Sequence, residues 1–496
     1  MLFHQLPFLV FLGLTFGAYW TVARWKWPRL IVLLVASLAF YAAATPLPLI
    51  LSQWIEGRLQ VRLTEVAWAG RPLLIFLAIA VVDHLCVLGM ARTGRKGLRK
   101  LLVAVSVVSN LGLLSLFKYG DLFYSTTAAL LEKAGVPIHY EPLGLLLPLG
   151  LSFVVFRAIS VTVDVYRGTT KPTFTFFEHL LYLLFFPLLV SGPIVRARDL
   201  LDRFDARPTL DPDDGARALF RIAAGMVKKL AIADVIAGGL VDQVFANPTH
   251  YTSAECVMAA IGYTVQLYFD FSGYSDIAIG ASALFGFPLP ENFNKPYLAR
   301  NLFEFWNRWH ISLSSWLRDY FYIPLGGNRV SRPRALFNLM MVMVWGGLWH
   351  GADWRFMYWG GIHGIALCIT RIGWWIKGGR PKSYGFFGSI VGWTITFTVV
   401  VATRIIFRAP SMAVAQTFYR TILDFTPGLA NVSAMVWAAL GAAAVLHALP
   451  HRVFDGASRF FVWLPAPARA VALVALALGL RQLAQVEVRP YIYFQF

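Results

Sequence analysis

The sequence predicts an all-α, polytopic integral membrane protein. Hydrophobic residues make up 58% of the 496 residues and charged residues only 14%, whereas a soluble domain carries about a quarter charged residues. Apolar runs near the roughly 20 residues that a helix needs to cross a bilayer recur along the whole chain. This uniform composition favours a single membrane-embedded domain over residues 1–496.

The predicted spans are apolar stretches that short polar or basic segments separate. The charged stretch 46–71 contains two prolines and is predicted to be a surface insertion. Tyr274–Phe285 and Phe303–Leu325 are too short or too polar to face lipid, so we expect them inside the protein. The predicted spans are Leu6–Ala23, Leu30–Ala44, Pro72–Met90, Leu101–Phe117, Leu143–Val163, Phe176–Val195, Leu219–Leu240, Ser253–Phe269, Ala335–Trp349, Phe356–Trp375, Phe386–Phe407, Val432–Leu449 and Ala466–Leu483.

The net charge of +18 does not indicate a nucleic-acid partner, because the Lys and Arg residues lie in short clusters between apolar runs. Such clusters stay on the cytoplasmic side of a membrane. We therefore predict that Arg24–Arg29 and Arg92–Lys100 are cytoplasmic and that the N-terminus is extracytoplasmic. Cys86, Cys256 and Cys368 are scattered singly and form neither a disulfide framework nor a metal-binding spacing.

The segment 292–364 carries polar residues where a bilayer should exclude them, and we predict that it forms the reaction centre. In Phe303–Tyr320, aromatic rings alternate with charged and amide side chains. An unpaired polar group in hydrocarbon costs several kcal/mol, so this segment cannot face lipid. We interpret it as a helix that lines a cavity, with Trp306 and His310 on one face.

Two histidines in this segment are predicted to be catalytic. His350 ends an apolar helix between Trp349 and Gly351, and His310 lies on the polar helix. Ionisable residues inside a membrane are usually functional, and imidazole can take a proton from a hydroxyl that attacks a thioester. For His363, the interpretation as a hydrogen-bonded core histidine is favoured.

Other chemistries have weaker support. No Gly-x-Ser-x-Gly motif indicates a serine hydrolase. No acidic or Cys partner at metal spacing accompanies the histidines, so no metal and no bound cofactor are predicted. Asp270 and Asp276 lie near the membrane as structural caps or as cavity walls, and the sequence favours neither.

Aromatic and polar residues around the two histidines are predicted to contact the substrate. Aromatic rings supply rigid apolar surface and exclude water, so the tryptophans are expected to wall a cavity for an acyl thioester. The predicted substrate-binding residues are Trp306, Asn307, Trp309, Ser314 and Trp349.

Phe303–Asn328 and Trp345–Gly351 resemble the signature of the membrane-bound O-acyltransferase (MBOAT) family. The resemblance is greatest to its bacterial polysaccharide branch, which includes proteins of alginate O-acetylation. Shorter matches follow one another along nearly the whole chain, at Phe117–Tyr119, Leu147–Phe153, Asp164–Gly168, Ser191–Arg196, Gln266–Asp276, Phe407–Ala409 and Pro490–Phe496.

This resemblance implies a helical body around a thin centre with a funnel from each side and a buried reaction site. It implies that His350 corresponds to the family's invariant histidine and His310 to its second one. The implied activity is O-acetyl transfer from a cytoplasmic thioester, usually acetyl-CoA, in a bacterial inner membrane. An extracytoplasmic partner, often of the SGNH type, then places the acetyl group on an exported polysaccharide, and the tail 490–496 resembles that of members with such partners.

Three features depart from the family pattern, and one of them is the predicted insertion 46–71. Arg157 stands where Gln or Glu is common, and Thr403-Arg404 where an aromatic residue is common.

The alternative functions are a D-alanyl transferase that modifies teichoic acids from a carrier-protein thioester, and a transporter or flippase. A transporter would spread charged residues along a pore over many helices, whereas here they concentrate around two histidines. The expected partners are therefore the acetyltransferase, membrane lipid and the polysaccharide, with no nucleic acid.

Overall fold

The fold was analysed in a computed structural model that describes residues 3–43, 63–138, 140–483 and 489–492, with 63–71 described by backbone alone. These residues form helices and no strand, which confirms the all-α prediction. Chain contacts divide the protein into two compact units, Met1–Asp211 with Ala281–Leu289 and Pro212–Gly280 with Pro290–Phe496. The side chains of the insertion predicted at 46–71 lie outside the described residues.

The first unit is built from apolar helices that bury a few polar residues between them. Asp83 is fully buried and accepts hydrogen bonds from Ser106 Oγ at 2.5 Å and Asn110 Nδ2 at 2.9 Å. Because lipid offers no partner to such groups, these bonds fix which faces of the two helices meet. The helices are α1 Leu6–Thr21, α2 Lys26–Ala42, α3 Leu63–Arg92, α4 Lys96–Leu114, α5 Gly120–Lys133, α6 Leu151–Arg167, α7 Phe176–Leu184 and α8 Ala197–Leu200, with a π-helical turn at Ser115–Tyr119 and 3₁₀ turns at Phe186–Leu188 and Leu201–Arg203.

The second unit holds every residue that the sequence singles out as catalytic or substrate-binding. Its helices are α9 Pro212–Met226, α10 Asp234–Ile236, α11 Asp242–Ala246, α12 Ser253–Ala283, α13 Leu302–Arg308, α14 Ile311–Leu317, α15 Arg332–His350, α16 Trp354–Ile376, α17 Phe386–Arg408, α18 Met412–Leu423, α19 Ala434–Ala448, α20 His451–Trp463 and α21 Ala466–Leu483. Two 3₁₀ turns, Pro248–His250 and Pro296–Leu298, and three π-helical segments, Val227–Ala233, Ala237–Val241 and Arg318–Tyr322, interrupt them.

Within the described part of the chain, four helical stretches are long and apolar enough to cross a bilayer, and a helix pair bent by 97° makes a fifth if the pair counts as one span. The polytopic, multi-pass prediction is therefore confirmed. The four stretches are Pro72–Arg92, Lys96–Lys133, Phe386–Arg408 and Ala466–Leu483, and the bent pair is α19 with α20.

Other predicted spans are shorter or more irregular than their hydropathy suggests. The stretch predicted at Phe176–Val195 stops being α-helical at Leu184, since Pro187 lacks a backbone N–H and disfavours helix in the residue before it. The stretch predicted at Leu219–Leu240 is interrupted by two π-helical segments. In the first of these, Lys228 reaches Asp276 at 2.6 Å.

The helix predicted over Phe303–Leu325 is not continuous, which corrects the expected common face of Trp306 and His310. It divides into α13 and α14, and Trp309 and His310 form the break between them. Periodicity alone could not reveal this break, because the contacts that hold it come from a loop upstream in the sequence.

Helices α15 and α16 form an antiparallel hairpin whose backbones approach closely at glycines. A Cβ atom on Gly347 would lie 2.1 Å from the carbonyl oxygen of Phe356, and one on Gly360 would lie 2.2 Å from that of Met343. No side chain fits at either position, so the two glycines set the hairpin spacing. This spacing positions His350 at the end of α15.

We expect Gly360→Ala to destabilise the protein, because its methyl group would push α16 away from α15. Overpacking of this kind typically costs about 1–3 kcal/mol. Gly361→Ala is the matched control, since a Cβ there meets nothing within 4 Å. Thermal unfolding of the detergent-solubilised variants should give a lower midpoint for Gly360→Ala than for Gly361→Ala. Equal midpoints would show that the close approach does not limit stability.

Candidate active site

The backbone at His310 is strained and is held by a neighbouring loop. His310 has φ 44°, in the left-handed region, which typically costs a non-glycine residue about 1–3 kcal/mol. Asn292 accepts a backbone hydrogen bond from Ile311 at 2.9 Å, and Arg308 accepts one from Asn294 at 2.9 Å. These two bonds fasten the α13–α14 break to the loop and hold His310 in the strained conformation. Such strain concentrates at functional sites.

Asn292 also fixes the tautomer of His310. The amide oxygen of Asn292 accepts from the backbone N–H of Ser312 at 3.2 Å and from its hydroxyl at 2.8 Å. A backbone N–H can only donate, so the atom it meets is the acceptor of the amide. Nδ1 of His310 lies 3.2 Å from this same oxygen and must therefore carry a proton. Nε2 is then the basic nitrogen of the ring.

Aromatic rings enclose His310, which is fully buried. The ring centroid of Phe271 lies 4.7 Å from that of the imidazole, at right angles to it. The ring of Trp349 lies 6.0 Å away. The surroundings of the basic nitrogen are therefore largely apolar, so a hydrogen bond or proton transfer there is little screened by water.

His350 ends α15 in a second aromatic enclosure. Its imidazole lies 5.1 Å from the ring of Trp349, 5.4 Å from Trp359 and 5.2 Å from Phe407. Trp349 therefore contacts both candidate catalytic rings. Gly351 is required at the next position, because a Cβ there would lie 2.0 Å from the ring of Phe356.

An apolar cavity of about 350 Å³ reaches His350 from one side. Of the predicted substrate-binding residues, Trp306, Asn307 and Ser314 line it. Phe303, Leu313, Leu339, Val342, Met343 and Trp359 supply much of the apolar surface, and Arg318 and Arg371 contribute charge. Among the residues that the structure describes, no Asp or Glu lines this cavity. It suits an uncharged, mostly apolar group.

A polar cavity of about 500 Å³ lies near His350 and is lined by two of its neighbours. Phe407, which contacts His350, and Gly351, which follows it, both line this cavity, whereas Trp359 lines the apolar one. The charged residues of the polar cavity are Lys229, Asp234, Asp242, Asp270, Asp353, Arg355, Arg408 and Arg489. His350 thus lines the apolar cavity, and two of its neighbours line the polar one.

Trp309 and Trp349 are not among the residues that line the apolar cavity. Trp349 lies between the two histidines, and Trp309 stacks on Phe305 with centroids 5.8 Å apart. Both are buried. They form a layer of rings behind the cavity wall, where they hold other side chains in place.

Arg404 was noted in the sequence only as a departure from the family pattern, and its surroundings could not be foreseen. Its guanidinium is buried and lies 4.6 Å from the ring centroid of Trp309 and 5.3 Å from that of Phe407. Cation–π contacts can stabilise a desolvated guanidinium in this way. Since Phe407 also contacts His350, Arg404 helps to fix a wall of the His350 enclosure.

His363 has the surroundings of a core histidine. The hydroxyl of Thr403 is 3.0 Å from His363 Nε2 and donates back to the carbonyl of Val399 at 2.9 Å. This contact pairs the imidazole of His363 with the Thr403 hydroxyl inside the helix core. The ring also packs 5.3 Å from Trp306, a contact through which it supports the cavity wall.

Asp270 is a buried anchor at the polar cavity. Its carboxylate pairs with Lys229 at 2.7 Å and accepts from the backbone N–H of Ile492 at 2.9 Å. The described part of the C-terminal tail, 489–492, is thereby attached to the cavity wall, while 493–496 lie outside the described residues. Asp276 instead pairs with Arg221 at 3.0 Å and with Lys228.

Comparison with known proteins gives a consistent result. The model of the family described as MBOAT, membrane-bound O-acyltransferase, matches residues 172–373. The "Probable alginate O-acetylase AlgI" of Pseudomonas aeruginosa is 37% identical over 86% of this chain and 75% of its own length. The "Peptidoglycan O-acetyltransferase" of Helicobacter pylori is 34% identical over 70% and 69%. The "Teichoic acid D-alanyltransferase" of Streptococcus thermophilus is 32% identical over 52% and 68%.

We expect Asn292→Ala to destabilise the loop that holds His310. The change removes the acceptor for both donors of Ser312, and a buried donor without a partner costs about 1–3 kcal/mol. Asn294→Ala is the matched control from the same loop, because Asn294 is exposed and such substitutions stay within about 0.5 kcal/mol. In thermal unfolding, Asn292→Ala should show the lower midpoint. An Asn294→Ala variant that is equally destabilised would refute the special role of the Asn292 amide.

Proposed function

This chain belongs to the membrane-bound O-acyltransferase family, and we propose that it moves an acetyl group from acetyl-CoA in the cytoplasm across the membrane for O-acetylation of an exported polysaccharide. Family membership makes the protein an O-acyltransferase. The acetyl-CoA donor, the direction of transfer and the polysaccharide acceptor are the proposed parts. Each rests on the geometry around His350.

The observation that carries the proposal is that His350 lines the apolar cavity while its neighbours Gly351 and Phe407 line the polar one. A thioester in the apolar cavity would bring its carbonyl group to one side of the imidazole. A hydroxyl in the polar cavity would approach from the other side. One base would then serve reactants that arrive from opposite directions, without a channel that joins the two aqueous phases.

The proposed step is a direct transfer. The imidazole of His350 takes the proton of the acceptor hydroxyl while the oxygen attacks the thioester carbonyl carbon. The carbon–sulfur bond then breaks, the ester forms, and the proton passes to the departing thiolate. The aromatic enclosure excludes water and so limits hydrolysis of the thioester.

His310 is proposed to assist this step as a second base or as an orienting group. Its Nδ1 proton is committed to Asn292, which leaves Nε2 to accept a hydrogen bond from the acceptor hydroxyl or to share its proton. Trp349 contacts both imidazoles and would keep their relative placement fixed.

An extracytoplasmic partner of the SGNH type is proposed to receive the acetyl group on the polar side. The attachment of Ile492 to Asp270 supports this side for the partner, because it brings the tail that resembles partner-dependent members to the polar cavity.

The D-alanyl alternative is less well supported. A D-alanyl group carries an ammonium, which a carboxylate would be expected to meet. No acidic side chain from the described parts of the chain lines the apolar cavity, and two arginines contribute to its wall. An acetyl group has no charge and suits this cavity better. The transporter alternative leaves the two enclosed imidazoles without a role.

We expect His350→Ala to abolish acetylation while the protein still inserts in the membrane, since general-base catalysis typically contributes about 10²–10⁴-fold. The loss for His310→Ala should be equal or smaller, and His363→Ala should act mainly on stability. The measurement is ester-linked acetate on the exported glycan in cells that express each variant at matched abundance. Exposed His451 supplies the control, His451→Ala. Near-normal acetylation by His350→Ala would exclude this residue as the base.

We expect Trp306→Ala to relax the choice of acyl group, because Trp306 lines the apolar cavity and its removal makes room for a longer chain. A hydrophobic pocket discriminates about 10–200-fold per methylene group, so transfer from propionyl-CoA, which has one more methylene group, relative to acetyl-CoA should rise within this range. The control is Trp345→Ala, since Trp345 is 52% exposed and does not line the cavity. If the ratio of the two rates does not change in Trp306→Ala, the acyl group does not occupy this cavity.

A further inference from the structure

Arg404 is a buried cation without a counter-ion. Its side chain lies on α17 and is only 2% exposed. Among the residues that the structure describes, no carboxylate pairs with its guanidinium, and its Nε–H has no hydrogen-bond acceptor. A buried charge without a partner is strongly unfavourable for folding, and cation–π contacts replace only part of the lost hydration. Arg404 therefore keeps unused hydrogen-bonding capacity inside the protein.

The cations that line the polar cavity, by contrast, have carboxylate partners. The pairs are Lys229 with Asp234 and Asp270, Arg355 with Asp353, and both Arg408 and Arg489 with Asp242. Arg408 lies one turn beyond Arg404 on the same helix, and its carboxylate partner is 2.7 Å away. The missing counter-ion is therefore a particular feature of Arg404 and not a general feature of this region.

The guanidinium of Arg404 contacts one ring from the wall of each cavity. Its central carbon lies 5.7 Å from the ring centroid of Trp359, which lines the apolar cavity, and 5.3 Å from that of Phe407, which lines the polar cavity. The imidazole of His350 contacts the same two rings, at 5.4 and 5.2 Å. These rings are themselves 5.1 Å apart. The unpaired cation and the proposed base are therefore neighbours at the place where the two cavity walls meet.

A second donor without a partner lies on the polar side. The hydroxyl of Tyr263 is fully buried and has no hydrogen-bond partner in the described part of the chain, and Tyr263 lines the polar cavity. Arg404 is close enough to interact with this hydroxyl electrostatically. Guanidinium and hydroxyl groups both donate to negatively charged oxygen. Together they provide the donors that such an oxygen requires.

Acyl transfer produces a negatively charged oxygen only transiently. As the acceptor oxygen bonds to the thioester carbonyl carbon, an electron pair of the C=O bond moves to the carbonyl oxygen, which becomes an oxyanion. The pair returns when the carbon–sulfur bond breaks and the thiolate leaves. Donors that are already oriented in a water-excluded site stabilise this charge, and the loss of one such donor typically lowers the rate about 10²–10³-fold.

We propose that Arg404 is a catalytic residue that donates hydrogen bonds to this oxyanion, with the Tyr263 hydroxyl as a second donor. This inference rests on the proposed function, because it adds an oxyanion-stabilising group to the base His350. The guanidinium stays protonated throughout, and the proton of the acceptor hydroxyl passes through His350. The transition state supplies the counter-ion that the resting protein lacks, which accounts for an unpaired charge at this position.

The test compares Arg404→Met and Arg404→Lys with the wild-type protein in inverted membrane vesicles from cells that make the polymer. Release of free CoA thiol from acetyl-CoA is measured at matched protein abundance, with His350→Ala as the blank, and thermal unfolding of the solubilised variants gives their midpoints. Arg404→Met keeps an apolar stem but removes the charge, so kcat should fall about 100-fold while the KM for acetyl-CoA stays within about twofold. Its midpoint should be equal or higher, because an unpaired buried charge is gone. Arg404→Lys keeps the charge and should have an intermediate kcat.

Arg420→Gln is the matched control, because it removes an exposed positive charge from the next helix, α18. A wild-type kcat in Arg404→Met, equal losses in Arg404→Met and Arg404→Lys, or a loss that is matched by a lower midpoint would overturn the proposal. If Arg404→Met loses thiol release from succinyl-CoA but keeps it from acetyl-CoA, the guanidinium binds a carboxylate of the acyl group, and the proposal also fails. Absence of thiol release by the wild-type protein would instead refute the proposed function, and the role of Arg404 with it.

Discussion

The candidate site depends on one constraint: polar groups inside a membrane protein must find their partners within the protein. The amide of Asn292 satisfies this constraint for the α13–α14 break, because it accepts from both donors of Ser312 and from His310. Without these bonds, neither the strained backbone of His310 nor its tautomer would be defined. These hydrogen bonds offset part of the free-energy cost of burying the imidazole, and they orient it as a base.

Different interactions position the two histidines. His310 is placed by hydrogen bonds to a loop, whereas His350 is placed by helix packing, since Gly347 and Gly360 let α15 and α16 approach closely. Trp349 connects these two systems because it contacts both rings. A substitution that shifts either the loop or the hairpin should therefore change the positions of both imidazoles. Arg404 adds a buried positive charge to the aromatic layer around them, and its cation–π contacts offset part of the cost of burying that charge.

Composition and hydropathy were sufficient to predict the helical, multi-pass architecture and to set Phe303–Leu325 apart from lipid-facing segments. The sequence could not predict the break at His310, because the positive φ depends on Asn292, whose contact is set by tertiary structure and not by helical periodicity. Nor could it separate Trp306, which lines the apolar cavity, from Trp309, which lies behind it, since both are tryptophans on the same short segment. The cation–π contact of Arg404 with Trp309, which lies on a distant segment, has no local sequence pattern.

The central claim is that one imidazole serves a donor from the cytoplasmic side and an acceptor from the opposite side. The most direct measurement uses proteoliposomes with uniformly oriented protein, acetyl-CoA supplied to one side only, and an acceptor glycan or the partner protein on the other. The account predicts release of free CoA thiol and acetylation across the membrane only when acetyl-CoA is on the side of the Arg92–Lys100 loop, with both lost in His350→Ala. Equal transfer by His350→Ala, or consumption of acetyl-CoA only from the side of the polar cavity, would contradict it.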